Sequence, residues 1–131
     1  MKRPRVPEKS IESAIIMRLQ LNGWRVHKLD TQSMKGRNIT YEKNGKVSMR
    51  RYVDPTAVLG QPDLIAVCSY KHYGRNYVDV IYIETKAKDG KVSTDQSACH
   101  AVLRAEGYIV LVPRSEAEFV EQMKELGVTL R

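Results

Sequence analysis

The sequence is poor in cysteine and has no long apolar run. Its two cysteines, Cys68 and Cys99, form no CxxC pair, so neither a disulfide framework nor a zinc site is expected. The most apolar early stretch, residues 14–21, is interrupted by Arg18 and Gln20, and no run approaches the roughly 18 apolar residues of a membrane span. We therefore expect a cytoplasmic protein with no signal peptide and no membrane partner.

Several catalytic patterns are also missing. No P-loop is present, so no nucleotide cofactor is implied, and no GxSxG segment surrounds a serine, which argues against acyl transfer. The three histidines, His27, His72 and His100, lack the spacing of a zinc set or of a nucleophile and its base. They are expected to be solvated or core residues.

Basic residues are abundant by contrast. Twenty-two Lys and Arg stand against 15 Asp and Glu, so the 131-residue chain has a net charge of +7. The excess is uneven, because residues 1–55 hold 13 basic and 5 acidic side chains, whereas residues 56–131 hold 9 and 10. With 42% apolar residues, a chain of this length is expected to form one globular domain, residues 1–131, that binds a polyanion.

Hydrophobic spacing and turn signals predict helices packed on a sheet. The order is helix, strand, hairpin, strand, strand, helix, strand, helix. Ser10 is expected to cap the first helix, and Ser93 with Gln96 forms a capping-box pattern at the second. The predicted elements are a helix over 11–22, strands over 24–29, 64–68, 78–85 and 108–112, a polar loop over 69–77, a helix from Ser93 to Gly107 and a last helix capped by Ser115.

The segment 30–53 is predicted to be an inserted basic hairpin. Asn44-Gly45 is a strong turn signal, and a two-residue turn there would place Lys43 opposite Lys46 and Ile39 opposite Arg50, a poor pattern for a core. Together with a basic arm over 1–9, this insert is expected to bind phosphates without reading bases, and a merely solvated basic face is the alternative. The candidate contacts are Lys2, Arg3, Arg5, Lys35, Arg37, Lys43, Lys46, Arg50 and Arg51, extended by Lys88 and Lys91.

Two carboxylates are predicted to meet at the end of the other hairpin. Facing residues of an antiparallel pair have indices with a constant sum, and 63 plus 84 centres the turn between Tyr73 and Gly74. Asp63 and Glu84 would then be neighbours across the sheet. Because two poorly solvated carboxylates repel each other, a divalent cation with oxygen ligands is the simplest partner for them.

Two more polar residues are expected near this corner. Lys86 shares a strand face with Glu84 because the side-chain period of a strand is two, and Glu12 lies on an inward helix face. Simpler roles stay open for all of these residues. Glu12 could complement the positive end of its helix, Gln96 could serve only as a cap, Asp63 could belong to a Pro-Asp turn, and Glu84 with Lys86 could form an ion pair.

These residues resemble the PD-(D/E)XK nuclease superfamily and, within it, the VRR-NUC family of virus-type replication and repair nucleases. The matching segments are Glu12, GQPDL over 60–64, ETK over 84–86 and KVSTDQ over 91–96. The resemblance implies an α/β fold, a mixed sheet flanked by helices with the nuclease core αβββαβ. To that core this chain adds the basic hairpin and a C-terminal helix.

The resemblance also implies roles for single residues. Asp63, Glu84 and the backbone carbonyl of Thr85 would hold Mg²⁺ or Mn²⁺, and Glu12 would bind a metal-coordinated water or a second ion. Lys86 would orient the attacking water, neutralise growing charge or act as the base. Gln96 would tie Lys86 or the phosphate to the second helix.

The implied activity is metal-dependent hydrolysis of DNA. Small relatives resemble Holliday-junction resolvases, so a homodimer that cuts branched DNA is expected, in the host-cell cytoplasm if the protein is viral. Two alternatives remain, a non-catalytic nucleic-acid-binding module on the same fold and a restriction-type nuclease that reads a base sequence.

Overall fold

Three helices and six strands make up the part of the chain that the structure describes. This computed structural model describes residues 5–29, 35–41, 47–53 and 60–131, with 35–41 and 47–53 given as backbone. The elements are α1 (Glu8–Leu21), β1 (Arg25–Lys28), β2 (Lys35–Tyr41), β3 (Val47–Val53), β4 (Leu64–His72), β5 (Arg75–Ile83), α2 (Thr94–Ala105), β6 (Ile109–Leu111) and α3 (Glu116–Glu125). Their order is the predicted one, and the α/β fold class is confirmed.

Four strands form one mixed sheet in the order β1–β4–β5–β6. β4 is antiparallel to both β1 and β5, whereas β6 is parallel to β5, because α2 returns the chain to the same end of the sheet. β2 and β3 form a separate two-stranded sheet. None of the helices in the described ranges has the length and hydropathy needed to cross a bilayer.

The β4–β5 hairpin has the predicted register but a shorter turn. Leu64 pairs with Ile83 and His72 with Arg75, so the indices add to 147 throughout. The predicted polar loop over 69–77 is wrong, because both strands continue to a two-residue turn at Tyr73 and Gly74, with φ values of 49° and 74°. Positive φ at both positions is typical of the tight turns that match strand twist.

The register of the inserted hairpin differs from the prediction by one residue. Ile39 pairs with Met49 rather than Arg50, and Arg50 pairs with Asn38. The paired indices add to 88 rather than to the predicted 89, and the predicted turn at Asn44-Gly45 lies outside the described residues. Residues 42–46, which include Lys43 and Lys46, lie outside the described residues, as do residues 1–4.

Helix α1 begins earlier than predicted. Its N-cap is Pro7 rather than Ser10, and the Pro7 carbonyl accepts hydrogen bonds from the N–H groups of Ser10 and Ile11. Proline is tolerated at a helix start because its fixed φ suits the first turn and its missing N–H would lack a partner there. Glu12 therefore lies beyond the first turn, where the helix dipole is weak.

One face of the sheet carries the core. Apolar side chains of β4 and β5 alternate inward and pack against a stripe from α1 and another from α3. Phe119 and Met123 are fully buried there, so they pack inside the domain. The cluster comprises Ile11, Ile15, Leu19, Trp24, Leu64, Ala66, Ile81, Ile83, Phe119, Met123 and Leu130. By strand alternation, Tyr82 and Glu84 belong to the opposite face, on which α2 lies.

Candidate active site

The joined ends of β4 and β5 place two acids side by side. The first residue of β4 is paired with the last residue of β5, so Asp63 and Glu84 flank that pair. The main chain fixes both acids, because the N–H of Leu29 donates to the Asp63 carbonyl at 2.7 Å and the N–H of Glu84 donates to the Leu111 carbonyl at 2.8 Å. The predicted proximity of the two acids is therefore a property of the strand register.

The carboxylate of Asp63 is oriented by Thr85. Asp63 Oδ2 accepts one hydrogen bond from the Thr85 N–H and another from the Thr85 hydroxyl, both at 3.0 Å. Thr85 is fully buried and Asp63 is half-buried. The sequence motif suggested a role only for the Thr85 carbonyl, so this two-point contact is a feature that sequence reasoning missed.

Glu84 is a buried carboxylate without a hydrogen-bond donor. It is 1% exposed, and neither carboxylate oxygen has a hydrogen-bond partner among the described residues. Burial, followed by the adjacent Asp63 carboxyl, raises the pKa of Glu84 from 4.5 to about 9. The field of Lys86 opposes this shift, so the ammonium lies within electrostatic reach of the acid.

Lys86 has a fixed backbone and a half-buried side chain. Its N–H donates to the Pro113 carbonyl at 3.2 Å, which extends the pairing of β5 and β6 beyond the strands. Arg114 then donates to the carbonyls of Ala87, Lys88 and Gly90 at 2.9, 3.3 and 2.5 Å. These contacts hold the turn that follows the lysine.

Helix α1 brings two acids toward this corner. Glu12 is 17% exposed and its Oε1 accepts an ion pair from Lys28 Nζ at 2.8 Å, at the end of β1 beside Asp63. Glu8, one helical turn earlier, contributes to the raised pKa of Glu84. Glu8 was missed by sequence reasoning, because the helix was predicted to start only after Ser10.

Gln96 completes the predicted capping box. Its Oε1 accepts from the Ser93 N–H at 2.9 Å, and its own N–H donates to Ser93 Oγ at 3.1 Å. The structure thus shows the capping role, and a part in catalysis stays a prediction.

The loop that carries Asp63 rests on this end of α2. Gly60 has a φ of +78°, and a Cβ added there would lie 2.3 Å from the carbonyl carbon of Asp95 and 2.6 Å from the Gln96 nitrogen. Only glycine combines this backbone conformation with such a close approach. The backbone three residues before Asp63 therefore lies directly against the N-terminal end of α2.

The buried face of α2 is not its apolar stripe. Cys99 and His100 are its buried residues, while Ala98, Ala101, Val102 and Ala105 are exposed. His100 Nε2 lies 3.9 Å from Glu84 Oε1. Burial, with smaller contributions from Arg104 and Lys86, lowers the pKa of His100.

The basic residues predicted to bind phosphates fall into three groups. Lys88 and Lys91 are exposed beyond Lys86, and Arg5 forms an exposed ion pair with Asp89 at 2.6 Å. The inserted hairpin supplies backbone positions only: Lys35 and Arg37 in β2, and Arg50 and Arg51 in β3, with Arg37 opposite Arg51. The remaining ones, Lys2, Arg3, Lys43 and Lys46, lie outside the described residues.

The mixed sheet, with an acid pair at the hairpin ends and a lysine two residues further on, is the arrangement that the sequence motifs predicted for a nuclease-type domain. The family model described as VRR-NUC domain matches residues 6–117, most of the chain. The chain therefore belongs to the VRR-NUC family, as its motifs predicted. No significant match was found among curated proteins or among solved structures.

Replacing Gly60 with alanine should destabilise the fold through the contact with α2. The added Cβ would collide with the backbone of Asp95, so we expect Gly60→Ala to lower the free energy of unfolding by at least about 2 kcal/mol more than Gly23→Ala. Gly23 is a matched control, because its φ is +82° but a Cβ there would meet nothing within 4 Å. Urea unfolding measures both losses, and equal losses would contradict the close contact.

The raised pKa of Glu84 predicts a pH dependence of stability. The folded state favours protonated Glu84. The contribution of this group to the free energy of unfolding is therefore complete below pH 4.5 and is lost as pH rises through about 9. Glu84→Gln stays neutral and should stabilise the fold at pH 7 by up to about 3 kcal/mol, with little difference near pH 4.5.

Urea unfolding in EDTA at pH 4.5, 7 and 9 tests this prediction. Glu121→Gln is the control, because it removes an exposed charge on α3. The same pH dependence in both variants would show that Glu84 titrates normally.

Proposed function

We propose that the chain is a metal-dependent endonuclease that hydrolyses phosphodiester bonds in DNA. The observation that carries this proposal is the buried Glu84 carboxylate, which receives no hydrogen bond from the described residues and lies beside a second acid, Asp63. Such an arrangement is unfavourable unless a proton or a cation compensates it. Membership in a nuclease family makes a divalent cation the better explanation.

The donor set suits Mg²⁺ or Mn²⁺. Both acids offer oxygen, which hard divalent ions prefer, and the neighbouring carbonyl of Thr85 would be a third oxygen ligand. No three His, Cys, Asp or Glu side chains within the described ranges form a metal-holding cluster, so the carbonyl and water would complete the site. When bound, the ion supplies a Lewis acid against the phosphate oxygens.

The remaining residues are proposed to act on water and charge. Lys86 has a backbone that Pro113 and the turn bound to Arg114 hold in place, and its ammonium is proposed to orient the attacking water or to neutralise the charge that develops on the phosphate. Glu12 is proposed to bind a metal-coordinated water or a second ion after release from Lys28. Gln96, at the capped end of α2, would contact Lys86 or the phosphate.

DNA binding is assigned to a part of the chain other than the one that carries most of the proposed cutting site. Residues 1–55 carry a net charge of +8 and residues 56–131 a net charge of −1, so the basic arm and insert supply the excess that attracts phosphates. The acids of the cutting site contribute nothing to that attraction. Binding and cleavage are therefore expected to be separable by mutation.

Asp63→Asn should abolish cleavage and preserve DNA binding. Asparagine can still accept a hydrogen bond from Thr85, but it removes the charge that would hold the ion. We expect at least a hundredfold slower cleavage, with DNA affinity unchanged or higher because a negative charge is lost.

Plasmid cleavage in Mg²⁺, with and without EDTA, and a gel-shift assay measure the two quantities. Asp79→Asn is the matched control, because it removes an exposed acid from the same hairpin. If Asp63→Asn cuts as fast as the parent, the site is assigned wrongly. A parent chain that binds DNA but never cuts it would instead identify a binding module.

We further propose that the enzyme acts as a homodimer on four-way junctions. One small domain offers one cutting site, whereas a junction has two equivalent strands to cut, and a twofold dimer supplies matched sites. A junction should be cut at least tenfold faster than a linear duplex of the same sequence.

Time courses with labelled junction and duplex in Mg²⁺ test this preference, and sedimentation gives the oligomeric state. Equal cutting of both substrates, or no cutting of the junction, would contradict the junction claim. A preference for particular bases at the cut would indicate a sequence-reading nuclease instead.

A further inference from the structure

His100 is a buried polar residue that the proposed chemistry leaves unused. It is 2% exposed, and its Nε2 atom is fully buried with no hydrogen-bond partner in the described part of the chain. It lies on α2, one helical turn beyond Gln96, and its ring faces Glu84. Buried polar groups without a partner are rare in folded proteins and call for an explanation.

Three such atoms meet at this point. They are His100 Nε2 and both carboxylate oxygens of Glu84. An imidazole N–H can satisfy only one of the two oxygens, and Oε1 is the oxygen 3.9 Å from Nε2. A cation on Oε2 would then satisfy the other, so the three atoms are fully matched by one hydrogen bond and one ion.

We propose that His100 is a positioning residue, which donates from Nε2–H to Glu84 Oε1 and leaves Oε2 for the metal ion. The present 3.9 Å exceeds the hydrogen-bond range by about 0.7 Å or more, a gap that a small rotation of either side chain closes. When Glu84 is ionised, the imidazole holds its proton on Nε2, since an Nδ1–H tautomer would turn a lone pair toward the carboxylate.

The metal part of this inference rests on the proposed function, whereas the hydrogen bond does not. Removing a group that is hydrogen-bonded to a metal-binding carboxylate typically weakens metal affinity by about 10- to 100-fold. His100 would thus determine how tightly Glu84 binds the ion, without contact to substrate.

The tautomer can be measured in the unmodified chain without metal. Nitrogen-15 NMR of histidine-labelled protein in EDTA at pH 10, where the Glu84 carboxyl is ionised, distinguishes protonated from bare ring nitrogens, and His100→Gln identifies the signal. We expect a protonated Nε2 whose hydrogen exchanges slowly with solvent. A bare Nε2 with the proton on Nδ1 would overturn the proposal, whether or not the chain binds metal.

Metal titration of variants tests the positioning role. We expect His100→Phe to weaken Mg²⁺ binding about tenfold or more, and His100→Gln, whose amide nitrogen reaches a similar point, to lose less. His72→Gln is the control, because His72 is exposed at the hairpin tip. Thermal unfolding verifies that each variant is folded.

The outcomes separate the two proposals. Unchanged Mg²⁺ affinity in a folded His100→Phe variant would overturn the positioning role. If the parent chain itself binds no Mg²⁺, the proposed function fails, and the tautomer measurement still decides whether His100 holds Glu84. Direct nitrogen coupling from His100 to bound Mn²⁺ would make it a ligand, which also overturns the proposal.

Discussion

The pairing of β4 with β5 is the constraint on which the rest of the site depends. Because Leu64 lies opposite Ile83, Asp63 and Glu84 emerge at one edge of the sheet, and a shift of one residue would turn one acid to the other face. The β6 pairing then extends past Glu84 to Lys86. Core packing by α1 and α3 stabilises this register, so the hydrophobic core and the site share the same strands.

The site concentrates an unfavourable charge arrangement in an otherwise well-packed corner. Asp63 accepts two hydrogen bonds from Thr85, whereas Glu84 accepts none from the described residues and its pKa is raised to about 9. Two neighbouring acids thus differ in environment, which is typical of functional sites. The stability lost at Glu84 is explained if the carboxylate exists to exchange a proton for a divalent ion.

Much of the core could be predicted from sequence because its signals are local. The residue numbers of paired positions in β4 and β5 have the predicted constant sum, which places Asp63 opposite Glu84. Ser93 with Gln96 forms the expected cap. Non-local effects caused the errors. Pro7 rather than Ser10 starts α1, which brings Glu8 toward Glu84. The insert has a register that Asn44-Gly45 did not reveal, and no periodicity could show that His100, rather than the alanines of α2, lies against the sheet.

Calorimetric titration with Mg²⁺ at pH 7 measures whether the pair of Asp63 and Glu84 exchanges a proton for a divalent ion. Repeating the titration in two buffers with different ionisation enthalpies gives the number of protons released. Since Glu84 has a pKa of about 9, we expect saturable binding with about one proton released per ion. Binding that releases no proton, or no binding at all, would contradict it.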